Sequence, residues 1–112
     1  TNAAKLTCFV GEGDDHYDGD YLYFNAYGLS NAVSPISNVW NSKSSDLSVD
    51  VQDGVDIDTF NITWESKVLS PGNSSVKVDL NTGVDSWNLV YIILSVRSET
   101  TTGGALDYLL EL

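Results

Sequence analysis

The fold is decided by one short stretch, Phe60-Asn61-Ile62-Thr63-Trp64, in which apolar residues occupy every second position. Successive side chains of a β-strand point to opposite faces, so this spacing predicts a strand that buries Phe60, Ile62 and Trp64. A segment with the composition of a turn comes next, at Ser70-Pro71-Gly72-Asn73, and the alternation resumes after it. The stretch therefore predicts two strands, each with one buried face.

Strands of the same kind recur along the chain, separated by clusters of Ser, Asn, Asp, Gly and Pro that are typical of turns. No segment has the apolar period of a helix. We expect strands at residues 5–10, 21–27, 39–40, 47–51, 60–64, 75–80, 87–96 and 105–112. This pattern predicts an all-β chain of seven or eight strands over residues 1–112. We expect a single antiparallel β-sandwich domain of the jelly-roll or Greek-key type.

Two apolar segments near the end of the chain predict where their strands lie in the sheets. Residues 87–96 are almost continuously apolar, which predicts a central strand covered on both faces. Residues 105–112 end with Leu109, Leu110 and Leu112. This last segment either completes a sheet of its own domain or pairs, as an edge strand, with a neighbouring copy of the chain.

The chain is strongly acidic, with 16 acidic residues, 5 basic residues and a net charge of −11 at pH 7. Such a charge repels phosphate backbones and anionic lipid headgroups, so we expect no nucleic-acid partner and no membrane-surface partner. No apolar run approaches the roughly 18 residues that a spanning helix requires. Direct membrane insertion is therefore not expected.

Both Asn-x-Ser/Thr triplets of the chain lie in or just after the deciding stretch, at Asn61 and Asn73. Strand alternation turns Asn61 towards water, and Asn73 lies in the turn, so each is placed to accept a glycan. The first residues, Thr1-Asn2-Ala3-Ala4, resemble the start of a chain from which a signal peptide has been removed. These features predict a secreted, extracellular glycoprotein of the cell surface.

A loop rich in carboxylates and glycine lies after the first predicted strand, and its candidate metal ligands are Glu12, Asp14, Asp15, Asp18 and Asp20. Carboxylate oxygens on a pliable backbone suit Ca²⁺, which is the one cofactor that the sequence suggests. The alternative is a solvated acidic loop, because the order of the acids does not match the twelve-residue calcium-loop pattern. A second acidic group lies at Asp50, Asp53, Asp56 and Asp58, and for it too the alternatives are a solvated acidic loop at the surface and a calcium site.

Cys8 is the single cysteine of the chain, so it cannot form an internal disulfide. It is either a buried thiol or an intermolecular link between copies. Its strand neighbours Leu6 and Val10 share its face, which favours burial. A nucleophilic pair with His16, the only histidine, lacks a third group that would orient it. No catalytic residue is identified, and we expect a non-enzymatic protein.

Four segments carry a resemblance to a known group of domains: Gly19-Asp20-Tyr21-Leu22-Tyr23-Phe24-Asn25, Asp53-Gly54-Val55-Asp56-Ile57-Asp58-Thr59-Phe60, Ser70-Pro71-Gly72, and Asp85-Ser86-Trp87-Asn88-Leu89-Val90-Tyr91. In this order they resemble an uncharacterised domain family in surface proteins of methanogenic archaea, and they are similar to jelly-roll modules of extracellular proteins. The resemblance covers most of residues 5–98. It implies secretion and a place in the cell envelope, and it names no active residues.

We therefore expect a structural component of an archaeal cell envelope, in a wall, sheath or surface layer. Its expected partners are copies of itself or other envelope proteins, and divalent cations would neutralise the acidic loops on assembly. The alternative is an extracellular adhesive or carbohydrate-binding module, dependent on calcium, whose partners are glycans. Exposed rings such as those of Tyr21 or Tyr23 would then stack on sugar faces.

Overall fold

A computed structural model of the chain describes residues 2–46, 49–50, 54–97 and 109–111. Every regular element in these ranges is a β-strand, which confirms the predicted all-β class. The strands are β1 (Asn2–Gly11), β2 (Tyr21–Phe24), β3 (Tyr27–Gly28), β4 (Lys43–Ser44), β5 (Val49–Asp50), β6 (Val55–Thr63), β7 (Ser75–Asn81), β8 (Asn88–Val96) and β9 (Leu109–Glu111). The described part of the chain contains no helix that could cross a membrane.

The strands form a β-sandwich of two main sheets. The first sheet has the order β6-β1-β8, and β1 pairs with both neighbours in antiparallel fashion. The second sheet has the order β3-β2-β7-β9, in which β2 is antiparallel to β3 and β7 while β9 is parallel to β7. A small separate pair, β4-β5, lies in the long connection between β3 and β6.

The core lies between the two main sheets because one face of each long strand is apolar. β6 confirms its predicted alternation: Phe60 and Ile62 are 1% and 2% exposed, and Asn61 is exposed. Trp64 is partly buried against the same core. Facing residues are supplied by the other strands and by the β3–β4 connection, and they include Leu6, Val10, Leu22, Phe24, Val76, Val78 and Trp40.

The predicted central position of the apolar segment 87–96 is wrong. β8 is an edge strand of the first sheet among the described residues, and β1 occupies the centre. Only its alternate residues Ile92, Leu94 and Val96 pack against the core. A continuous apolar run is typical of a strand covered on both faces, but here the outward side chains remain exposed, including Tyr91 at 40% and Ile93 at 53%.

Other predicted strands also differ from the structure in extent. Of the predicted segment 47–51, residues 49–50 form β5 and the remainder lies outside the described residues. Residues 21–27 form the hairpin β2–β3 instead of one strand, with positive φ angles of 48° and 65° at Asn25 and Ala26, as a tight hairpin turn requires. Residues 39–40 are buried but irregular. Of the predicted segment 105–112, residues 109–111 pair with β7, and the remainder lies outside the described residues.

Truncation of Leu6 tests the position of the core. Leu6 is fully buried on the central strand β1, so Leu6→Ala should lower the free energy of unfolding by about 2–5 kcal/mol. Lys5→Ala, at the exposed neighbouring position, is the matched control and should change it by less than ~0.5 kcal/mol. Urea unfolding monitored by tryptophan fluorescence measures both, and equal effects of the two substitutions would contradict the assigned face of β1.

Candidate functional site

The least expected feature of the sandwich is a pair of carboxylates inside it. Asp56 and Asp58 lie on the inward face of β6, in phase with Phe60, and neither has any exposed surface. The sequence contains the signal for this placement, because the period that buries Phe60 also points Asp58 and Asp56 inward. Their proximity in sequence to Asp50 and Asp53 indicates a surface acidic group instead, and the structure overturns that interpretation for these two residues.

The two carboxylates hold the connection between β3 and β6 by accepting hydrogen bonds from it. The N–H groups of Asn41 and Ser42 donate to Asp56 Oδ1 and Oδ2, at 2.9 and 3.1 Å. Asp58 Oδ1 accepts from the hydroxyl of Ser34 and from the N–H of Ser45, each at 3.0 Å. Buried polar groups require such partners, so the acids fix the path of residues 34–45 across the sandwich.

Close packing accompanies these hydrogen bonds. The hydroxyl of Ser42 donates to the carbonyl oxygen of Gly13 and so joins the connection to the acidic loop after β1. A Cβ atom at Gly13 would lie only 2.3 Å from Asp56 Oδ2 and 2.7 Å from the carbonyl oxygen of Trp40. Glycine is therefore the residue that this position accommodates.

Burial shifts the titration of the inward acids. Removal from water raises the pKa of Asp56 to about 7, and the negative charge of Asp58 acts in the same direction, while backbone N–H donors such as that of Ser42 oppose the shift. Burial also raises the pKa of Asp58, again against the hydrogen bonds that favour its charged form. Both carboxyls thus bind protons more strongly in the folded chain than in the unfolded chain.

The thiol of Cys8 is buried and forms no disulfide within the described chain, as the first of the two alternatives predicts, and its burial disfavours an intermolecular link. Cys8 lies opposite Asp58 in the β1–β6 register. Burial, together with the smaller effect of the Asp58 charge, raises the pKa of the thiol to about 12. A thiol in this setting neither reaches a second copy nor forms the reactive thiolate. His16 is exposed in the loop, on the solvent side of the fold.

The five predicted calcium ligands are not brought together. Asp20 is fully buried and accepts a hydrogen bond from the indole N–H of Trp87 at 3.2 Å, whereas Glu12, Asp14, Asp15 and Asp18 are exposed. Among the described residues, no group of three or more His, Cys, Asp or Glu side chains is placed to hold a metal ion. The geometry therefore gives no support to a calcium site in this loop.

The two predicted glycan acceptors differ in their surroundings. Asn61 is exposed on the outer side of β6. Asn73 is half-buried in its turn, where its Oδ1 accepts a hydrogen bond from the N–H of Ser70 at 2.8 Å. The side chain of Asn73 thus shapes the turn, while that of Asn61 is presented to solvent.

The two edges of the first sheet differ in whether other parts of the chain cover them. Along β6, the carbonyl oxygen of Ile57 accepts from the Ser44 hydroxyl at 2.5 Å and from the Asp46 N–H at 3.2 Å. The N–H of Thr59 donates to the Ser45 hydroxyl at 3.0 Å. The connection held by the buried acids therefore covers this edge. No described strand pairs with the opposite edge, along β8.

An apolar outer surface adjoins the open edge. Phe9 of β1 is paired with Ile57 on one side and Tyr91 on the other, and the Phe9 and Tyr91 rings lie 5.4 Å apart. Thr7 is paired with Ile93 in the next row. The register shifts between Phe9 and Val10, so that Phe9 is paired with Tyr91 but Val10 is paired with Leu89. We call the exposed apolar side chains of β8 the β8 surface, which comprises Leu89, Val90, Tyr91 and Ile93.

A scan against protein-family models and searches of curated proteins and solved structures found no match to this chain.

The buried carboxyls predict that stability decreases as the pH rises. The folded pKa of Asp56, about 7, lies above its ordinary value of 3.8, so its contribution is complete below pH ~4 and is lost as the pH rises through 7. We expect the free energy of unfolding to be on the order of 2 kcal/mol lower at pH 8 than at pH 5 from this residue. The free energy of unfolding should be measured at both pH values in high salt, because salt screens the repulsion between surface charges.

Two substitutions separate Asp56 from the general effect of negative charge. Asp56→Asn should flatten the dependence of stability on pH. Asp18→Asn removes the same formal charge from an exposed site and should leave the dependence unchanged. A wild-type stability that increases from pH 5 to pH 8, or an unchanged slope in Asp56→Asn, would contradict the burial of this carboxyl.

Burial of Cys8 predicts that its thiol reacts slowly in the native protein. We expect a thiol reagent at pH 8 to label the folded chain at least a hundredfold more slowly than the chain in guanidinium chloride, which serves as the control. Electrophoresis without reductant should show no covalent dimer. Rapid labelling of the folded protein would place Cys8 at the surface and restore the intermolecular link.

Proposed function

We propose that this chain is a non-enzymatic, secreted structural component of an archaeal cell envelope that self-assembles through the β8 surface. The observation that carries the proposal is an edge strand, open among the described residues, that presents exposed apolar side chains and no charge. Unpaired strand edges are templates for pairing with another chain, and natural proteins usually protect them with charge or proline. β8 has neither.

Electrostatics favours this strand as the contact between copies. The chain carries a net charge of −11, so two copies repel each other over most approaches. The nine residues of β8 include no charged side chain. The residues paired with its outward face are Phe9, Thr7 and Lys5, and the one carboxylate hydrogen-bonded to β8 among the described residues is that of Glu12, at its first residue Asn88. A contact centred on β8 therefore brings together the part of the surface where repulsion is weakest.

The strand geometry indicates the form of the contact. Two copies of β8 placed side by side in antiparallel fashion are related by a two-fold axis, as in most homodimers. The pair joins two three-stranded sheets into one continuous sheet with the order β6-β1-β8-β8-β1-β6. Leu89, Val90 and Ile93 would then lose exposed area, and burial of apolar area stabilises association by about 25 cal/mol per Å² before the costs of ordering.

The place in the envelope is supported by separate observations. The four segments whose resemblance implies a surface protein of methanogenic archaea lie between residues 19 and 91. The acceptor Asn61 is exposed on its strand, as attachment of a glycan requires. The burial of Cys8 removes disulfides from the proposed mechanism of assembly, so the association is expected to be insensitive to reductant.

A charge introduced into β8 tests the proposal. Ile93→Lys places an ammonium group in the middle of the contact and should weaken self-association at least tenfold, which corresponds to about 1.4 kcal/mol. The matched control is Val84→Lys, the same change at a position 79% exposed and outside β8. Sedimentation equilibrium of unglycosylated protein at physiological salt measures the dissociation constants.

The expected result is association of the wild type and of Val84→Lys, with Ile93→Lys remaining monomeric at the same concentrations. A wild-type chain that stays monomeric at millimolar concentration would refute assembly. Association of Ile93→Lys equal to that of the wild type would refute the β8 surface as the contact.

A further inference from the structure

A groove of about 350 Å³ opens on the side of the sandwich opposite to β8, between β6 of the first sheet and β3 of the second. Its volume is within the range of small-molecule sites in proteins. None of the described residues that line it is charged, although the chain as a whole is strongly acidic. The uncharged lining therefore favours an uncharged ligand over an ionic one.

The lining combines two kinds of surface. Tyr27 and Ile36 contribute apolar area and are 54% and 49% exposed. Polar groups come from Ser30, Asn61, Thr63 and Ser66. An exposed ring beside hydroxyl and amide groups matches a saccharide, whose C–H faces stack on aromatic rings and whose hydroxyls exchange hydrogen bonds with polar side chains.

One wall of the groove is itself a glycan acceptor. Asn61 begins the triplet Asn61-Ile62-Thr63, and all three residues line the groove. On the opposite wall, Gly28 leaves room for the side chain of Ile36, since a Cβ atom at this position would lie 2.6 Å from Cδ1 of Ile36. A sugar joined to Nδ2 of Asn61 therefore starts at the rim of a neutral site that suits it. Asn73 lies instead at a turn, where its N–H donates to the carbonyl oxygen of Ser70 at 3.1 Å.

We propose that the groove between β3 and β6 holds a neutral saccharide covalently linked to Asn61, with a sugar face packed against Tyr27 and Ile36. The proposal rests on the secretion and glycosylation that the proposed function includes. The link forms when Nδ2 of Asn61 attacks C1 of a saccharide activated as a phosphate ester of a lipid carrier. The new bond joins N to C1, the C1–O bond breaks with its electron pair leaving on the carrier phosphate, and the amide loses one proton.

The test uses two single-acceptor variants, Asn73→Gln and Asn61→Gln, each produced in a host that attaches N-linked glycans and in one that does not. In Asn73→Gln, which retains Asn61, the glycan should raise the melting temperature by about 3–6 °C and give nuclear Overhauser contacts between sugar protons and the Tyr27 ring. In Asn61→Gln, the glycan on Asn73 should shift the melting temperature by less than ~1 °C. Adding Tyr27→Ser to Asn73→Gln should remove most of the gain.

Several results would overturn the proposal. An unmodified mass at Asn61 in the secreted protein would remove the covalent link, and a glycan on Asn61 without contacts to Tyr27 would remove the groove as its site. Shifts of the Tyr27 resonances in unglycosylated protein on addition of free oligosaccharide, without modification of Asn61, would assign the groove to an external sugar instead. None of these outcomes bears on the self-association test, which uses unglycosylated protein.

Discussion

The structure depends on the burial of two carboxyl groups, Asp56 and Asp58, on the inward face of β6. A charged or polar group taken out of water without partners destabilises a fold by several kcal/mol. The chain supplies partners for both oxygens of Asp56 and for Oδ1 of Asp58 through the N–H groups of Asn41, Ser42 and Ser45. Oδ2 of Asp58 has no hydrogen-bond partner among the described residues. The two acids therefore hold an otherwise irregular connection in place through hydrogen bonds. Trp40 of that connection is buried in the core.

The same interaction determines which edge of the first sheet is closed. Once residues 34–45 are held over β6, the Ser44 and Ser45 hydroxyls hydrogen-bond to its outer backbone groups. β1 is paired on both sides, so within the part of the chain that the structure describes β8 becomes the remaining edge. The fold is thus asymmetric: one edge is covered by polar groups of the chain itself, and the other is apolar and uncharged. The proposed assembly through β8 is a consequence of this asymmetry.

Local patterns in the sequence predicted the strands better than their positions in the sheets. The alternation in residues 60–64 correctly placed Phe60 inside and Asn61 outside, because side-chain direction in a strand depends only on neighbouring residues. The edge position of β8 depends on which strands pair with β1, and no local pattern contains that information. The burial of Asp56 departs from the expected surface position of its acidic group for a different reason: a carboxyl is rarely buried, and its N–H partners come from a distant segment.

The acidic loop illustrates the same limit. Sequence proximity suggested one calcium site, but the chain turns Asp20 into the core beside Trp87 and leaves the other acids in solvent. The groove beside Asn61 was also invisible in the sequence, since Tyr27 and Asn61 come from strands of different sheets. Sites that are built from distant segments emerge only when the sheets are assembled.

The most direct test of this account is the hydrogen exchange of the amides that donate to the two buried carboxylates. Residue-resolved exchange of the wild-type chain at neutral pH should show the amides of Asn41, Ser42 and Ser45 protected as strongly as the paired amides of β1, although all three lie outside the two-residue strand β4. Exchange of these amides as fast as that of the exposed loop residues 14–18 would contradict the claim that Asp56 and Asp58 hold this connection in place.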